Sequence, residues 1–153
     1  MSVAGILNGH EFFHNLGMEE VNEVNEFSER RGLHKDEIIY AQDQRADKVY
    51  LLLEGTVLLS IPPKGNDSRI VVARVKKGEL FGISSLLGEE GYTADALCEE
   101  NAEVLVIQAK RLQQIRREDY IQGFVIMNEV ARAYFQRYME LIKGLRGIVC
   151  VTS

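Results

Sequence analysis

The sequence is poor in cysteine, histidine and net positive charge. Its two cysteines, Cys98 and Cys150, lie far apart and match no metal or redox spacing. Free buried thiols in a reducing compartment are the expectation. His10 and His14 stand four apart, but no carboxylate at a recognised spacing completes a metal set, and His34 lies elsewhere. All three are read as ordinary histidines. No Gly-x-Ser-x-Gly elbow and no arguable Cys–His pair is present, so no catalytic mechanism can be built. The net charge of -5 offers no electrostatic case for nucleic acid. No apolar run reaches the length of about 18 residues that reads as a membrane span. The N-terminus lacks the basic region and the apolar run of a signal peptide. A cytoplasmic protein is therefore expected, with neither DNA nor membrane as partner.

What is present suits a single domain over residues 1–153, since 46% of the 153 residues are hydrophobic and can build a core. Ile6 to His14 reads as a short helix or packed arm. Residues 18–30 read as a helix with Val21, Val24 and Phe27 on one face, stopped at Gly32. From Leu33 the period changes. Ile38–Tyr40 is a short strand, and Ala41 to Lys48 a polar connection. Val49–Leu53 and Thr56–Ile61 read as two strands joined at a tight turn on Gly55. Pro62–Ser68 is a loop, and Ile70–Val75 the returning strand. Thr93–Leu97 and Val104–Ile107 are further strands. Many short strands with glycine turns predict an all-β barrel or jelly roll over about residues 33–108.

The stretch 78–96 organises the chain. Its glycines, with Ser84, Ser85 and Thr93, sit in an apolar frame. Glycine turns free backbone N–H groups that can cradle an anion, and a helix start at Ser84 or Ser85 would add a dipole. A plain strand-to-strand connection uses the same glycines only for turning.

Residues 109–117 predict a small helix, and residues 119–145 a long one. A heptad series runs Tyr120, Phe124, Met127, Ala131, Tyr134, Tyr138, Leu141, Leu145. A second runs Ile121, Val125, Phe135, Met139, Ile142. One stripe is enough to pack the helix on a barrel. Two stripes predict a second contact as well, and a symmetric homodimer through residues 120–145 is the economical choice. Gly144 and Gly147 are expected to end the helix, with Ile148–Val151 docking as an apolar tail.

Gly78-Glu79-Leu80-Phe81-Gly82 and Asp47 to Val57, with Gly55 at its turn, together resemble the cyclic-nucleotide-binding domain family. That family includes the sensor half of catabolite-activator-type regulators. The likeness covers about residues 12–145. It implies a double-stranded β-helix or jelly roll, mainly β, with flanking N-terminal helices and a long C-terminal helix. The implied ligand pocket is made of Phe81, Gly82, Ile83, Ser84, Ser85, Tyr92, Thr93 and Ala94, with Arg137 and Tyr138 reaching in from the long helix. Binding members carry a glutamate where this chain has Ile83 and an arginine where it has Tyr92. A charge-assisted hydrogen bond is worth roughly 1.5–3 kcal/mol, and a tyrosine has no guanidinium fork. Losing both contacts costs about two to four decades of affinity. Activator-type regulators continue into a helix-turn-helix domain, which does not follow within this sequence. Whether the chain is a whole gene product or a fragment stays open.

These observations point to a non-enzymatic regulatory or sensory binding module. It is expected to be a homodimer that signals to a protein partner. Its pocket is expected to take a cyclic nucleotide or another small anion. One alternative is a structural or interaction module whose pocket is vestigial. The other is a small cupin-like metalloenzyme, for which the β region supplies only His34.

Overall fold

Runs of β-branched and leucine residues broken by glycine turns can bury both faces only by folding one sheet over another. The computed structural model, which describes residues 16–145, shows this arrangement. Helix α1 (Met18–Glu26) is followed by strands β1 (Ser28–Leu33), β2 (Ile38–Tyr40), β3 (Lys48–Glu54), β4 (Val57–Ile61), β5 (Ile70–Val75) and β6 (Leu80–Phe81). A single 3-10 turn (Ser84–Leu87) precedes β7 (Asp95–Cys98) and β8 (Ala102–Gln108). Helices α2 (Ala109–Glu118) and α3 (Tyr120–Leu145) complete the described chain. The strands form two four-stranded antiparallel sheets, β1-β8-β3-β6 and β2-β7-β4-β5. This is a jelly-roll core flanked by helices.

Strand alternation builds two cores. The inner one lies between the sheets and takes Tyr50 and Leu52 of β3 with Val104 and Val106 of β8. The outer one lies under the helices and takes Val49, Leu51 and Leu53 with Leu105 and Ile107. Strands β3 and β8 are thus covered on both sides, which is why they read as unbroken apolar runs. Leu112 and Ile115 of α2 and Ile126 and Val130 of α3 close the outer core.

Three expectations change. The first helix ends at Glu26, and Ser28–Leu33 is a strand rather than its last turn. It pairs with β8 from Ser28 opposite Ile107 to Leu33 opposite Ala102, and Arg30 forms an ion pair with Glu103. Sheet pairing at an edge overrides the helical pattern of a polar segment. The strands flanking Gly55 do not pair with each other. β3 belongs to one sheet and β4 to the other, so the turn is a corner between sheets. Helix α3 runs through Gly144 to Leu145. Ile6–His14, Gly147, Ile148–Val151 and Cys150 lie outside the described residues.

The packed face of α3 also differs from both apolar series. Gly123, Ile126 and Val130 are its buried residues. A Cβ on Gly123 would meet the Arg116 carbonyl oxygen at 2.7 Å, so glycine lets α3 cross α2 closely. The Asp119 carboxylate accepts from the Ile121 and Gln122 amides at 2.9 and 3.0 Å and caps the start of α3. Tyr120, Ile121, Phe124, Phe135 and Tyr138 remain exposed.

Candidate ligand pocket under the long helix

The site begins with the turn after β6. Gly82 has φ +67, and a Cβ there would lie 3.1 Å from Tyr40, 3.1 Å from Tyr50 and 3.3 Å from Tyr92. Three tyrosine rings therefore crowd one glycine, and an added side chain would be strained and would force the rings to shift. Tyr40 and Tyr92 stack with centroids 3.7 Å apart, and Tyr50 stacks on Phe81 at 5.1 Å. The Tyr92 hydroxyl donates to the Lys48 carbonyl at 2.7 Å and accepts from the Lys48 amide at 3.3 Å. Its polar end is thus spent on the backbone at the start of β3. Burial pushes the Tyr40 and Tyr92 phenols up, so both stay neutral in the physiological range.

A cavity of about 150 Å³ lies beside this stack. Tyr40 and Tyr92 line one part, and Leu59, Val72 and Ala73 line another. Gly82, Ile83, Ser84, Thr93 and Ala94 come from the 81–94 segment, and Tyr134, Arg137 and Leu141 from α3. Ser84 Oγ donates to the Gly91 carbonyl at 3.1 Å. Arg137 donates one N–H to the Leu80 carbonyl. Burial lowers the Arg137 pKa, yet a guanidinium remains charged.

The structure brings Gly82, Ile83, Ser84, Tyr92, Thr93, Ala94 and Arg137 around one cavity. Phe81 is fully buried within the aromatic stack instead. Ser85 turns towards a separate groove beside Gln113, whose Nε2 donates to the Ser85 carbonyl at 2.9 Å. Tyr138 is 59% exposed, on the outer side of α3. The Ile83 side chain is buried and packs into the outer core.

Sequence reasoning missed Tyr40 and the wall from β4 and β5. Nothing in a local pattern says that these strands meet the 81–94 segment. Tyr134 was visible only as part of a helical stripe.

The separate groove is larger, about 800 Å³, and lies between loop 41–47, residues 89–91 and the start of α2. Charges of both signs line it, among them Asp43, Asp47, Glu89, Glu90, Arg45 and Lys110. An apolar enclosure with a few convergent polar groups is the better ligand site, and that describes the smaller cavity. Arg69 donates to Asp95 at 2.7 Å and to Ser60 at 3.0 Å, tying the β4–β5 loop to β7. Among the described residues no group of His, Cys, Asp or Glu side chains is placed to hold a metal ion. No described helix is long and apolar enough to cross a membrane.

The family of cyclic nucleotide-binding domains matches residues 30–119. The cyclic AMP receptor protein of Thermus thermophilus is 32% identical over 115 residues, covering 75% of this chain and 49% of that protein. The chain therefore spans about half the length of that curated relative. A solved structure from Geobacter metallireducens, named for cyclic nucleotide binding, is 30% identical with a TM-score of 0.79, covering 90% of this chain and 99% of that one. The sensor domain of the transcriptional regulator DNR from Pseudomonas aeruginosa is 16% identical with a TM-score of 0.72, covering 88% of this chain and 94% of that one. At that identity the likeness is one of fold. The sequence match and the jelly roll capped by a long helix agree: the chain belongs to the cyclic nucleotide-binding domain family, as a regulatory or sensory binding module.

Proposed function

We propose that this module is a cytoplasmic homodimer whose interface is α3 and whose effector is a cyclic nucleotide or another small anion. The effector sits between residues 81–94 and α3. The observation that carries the reading is the two-sided character of that helix. One face roofs the cavity through Tyr134, Arg137 and Leu141. The other presents Phe124, Phe135 and Tyr138 at 72%, 62% and 59% exposure. An exposed apolar face of this kind is the surface a symmetric partner covers. Ligand binding on one face then shifts the helix, alters the dimer surface, and is read by a protein partner. Cys98, a free buried thiol pushed up to about 11 by burial, fits a reducing compartment.

The test is the mass of the particle in solution. The natural protein is expected to sediment as a dimer, and Phe124→Ser/Phe135→Ser as a folded monomer with an unchanged far-ultraviolet circular dichroism spectrum. A natural protein that is monomeric at high concentration would overturn the interface.

A second reading, a ligand-free interaction module, is favoured by the stacked Tyr40, Tyr92, Tyr50 and Phe81 rings that occupy the interior. Calorimetric titration with cyclic AMP and cyclic GMP separates the two. Ile83→Glu/Tyr92→Arg serves as the companion variant. Binding by the variant alone means that the pocket survives and that its ligand has changed or gone.

A further inference from the structure

We propose that the cavity under α3 takes a single-ring aromatic carboxylate, with Arg137 holding the carboxylate group. This rests on the small-anion reading above and names the chemical class for that site.

Size comes first. The cavity measures about 150 Å³. An apolar cavity of about that volume accommodates one benzene ring, whereas pockets for larger ligands run from about 300 Å³ upwards. A purine, a ribose and a cyclic phosphate together exceed this space. Tyr40 and Tyr92, 17° from parallel, would have to separate to enlarge it, and the Tyr92 hydroxyl is anchored on Lys48.

Lining comes second. Leu59, Val72, Ala73 and Ile83 supply apolar wall, and Tyr40 and Tyr92 supply ring surface. A flat ring packs offset or edge-on against such surfaces.

Charge comes third. Arg137 is the one cation among the lining residues, and no Asp or Glu lines the cavity. Arg137 takes part in none of the ion pairs found among the described residues. The acids that act on it, Glu79 and Glu140, do so outside the cavity. Of its five N–H donors, a bond to the Leu80 carbonyl is the one recorded. Its direct partner is a neutral carbonyl, so a partly buried guanidinium has donors left for an anion, and its planar fork fits a carboxylate. One cation balances one negative charge. A phosphate dianion would need a second, and the segment 81–94 provides none. Because the charge is read by α3 itself, occupancy acts directly on the helix that carries the dimer face.

The experiment is calorimetric titration of the full chain with benzoate, with neutral benzamide, with inorganic phosphate and with cyclic AMP. Benzoate is expected to bind saturably, with a dissociation constant of roughly submillimolar size. Benzamide is expected to bind at least about tenfold more weakly. Arg137→Gln removes the charge and should lose the preference for benzoate. Leu141→Glu places a competing carboxylate at the exposed mouth and should lose it as well, which covers the case that Arg137→Gln fails to fold. Circular dichroism and sedimentation report on folding for both. Equal binding of benzamide, or full benzoate affinity in folded Arg137→Gln, overturns the proposal. Cyclic AMP or phosphate binding without benzoate binding overturns the aromatic carboxylate and leaves the small-anion reading standing. Binding of none of the four overturns both and leaves the ligand-free module.

Discussion

The two sides of the β3–β8 pair bury comparable runs of side chains with different chemistry. Towards the helices, Val49, Leu51, Leu105 and Ile107 meet Leu112, Ile115, Ile126 and Val130, and every member of that core is aliphatic. Towards the opposite sheet, Tyr50 joins Tyr40, Phe81 and Tyr92 in one connected stack. Aliphatic packing is nondirectional and depends on volume. Stacked tyrosines also need particular ring geometry and partners for their hydroxyls. The outer core therefore holds the helices on the roll, and the inner core defines the shape of the cavity. The same two strands thus separate the core that holds the helices from the aromatic stack beside the cavity.

Breaking the outer side should produce the largest effect. Leu112 is fully buried among aliphatic neighbours. Leu112→Ala is expected to cost about 2–5 kcal/mol in urea unfolding, through lost burial and a residual cavity. The inner side should respond less in energy and more in shape. Gly82→Ala combines a φ of +67 with contacts of 3.1 to 3.3 Å to three rings. It is expected to cost about 1–3 kcal/mol and to alter the near-ultraviolet tyrosine signal while the far-ultraviolet spectrum persists. Equal losses of both signals in the two variants would mean that the cores are not separable.

The smallest effect sharpens the contrast by pH. The buried members of the outer core include no titratable side chain, whereas Asp95 is buried at the start of β7 in the opposite sheet. Burial pushes the Asp95 carboxyl up, but the Gln42 amide at 2.6 Å and Arg69 at 2.7 Å outweigh it and leave the pKa lowered. A depressed carboxylate contributes stability that is present above its unfolded pKa of about 4 and is lost as pH falls through the folded value. Urea unfolding of the natural protein should therefore weaken in acid below about pH 4. In Asp95→Asn the corresponding acid step should be smaller. An unchanged acid profile in that variant would assign acid sensitivity to other groups.

Much of the β region was legible along the chain, because β3, β4, β5 and β8 are apolar runs bounded by glycine, proline or charged turns. β1 was not. Ser28-Glu29-Arg30-Arg31 has no apolar alternation, and it becomes a strand only because β8 offers an open edge and Glu103 meets Arg30. The corner at Gly55 looked like a hairpin, since a turn residue does not say which sheet the next strand joins. On α3, apolar residues occupy so much of the circumference that spacing could not select Ile126 and Val130 as the packed pair. At the site, the contiguous residues Gly82–Ser84 and Tyr92–Ala94 were readable from family resemblance. Tyr40, Leu59, Val72 and Ala73 were not, because they reach the cavity only when the second sheet folds over the first.

The sequence by itself determined the types of most elements, the family and the amphipathic excess of the long helix, because each rests on local period, local turn chemistry or a contiguous motif. Only the tertiary structure decided which face of that helix packs, which sheet each strand enters, and how much space remains beside the tyrosines. Those outcomes depend on contacts between residues far apart in the chain, where volume and the pairing of buried polar groups select among arrangements that the local pattern allows equally.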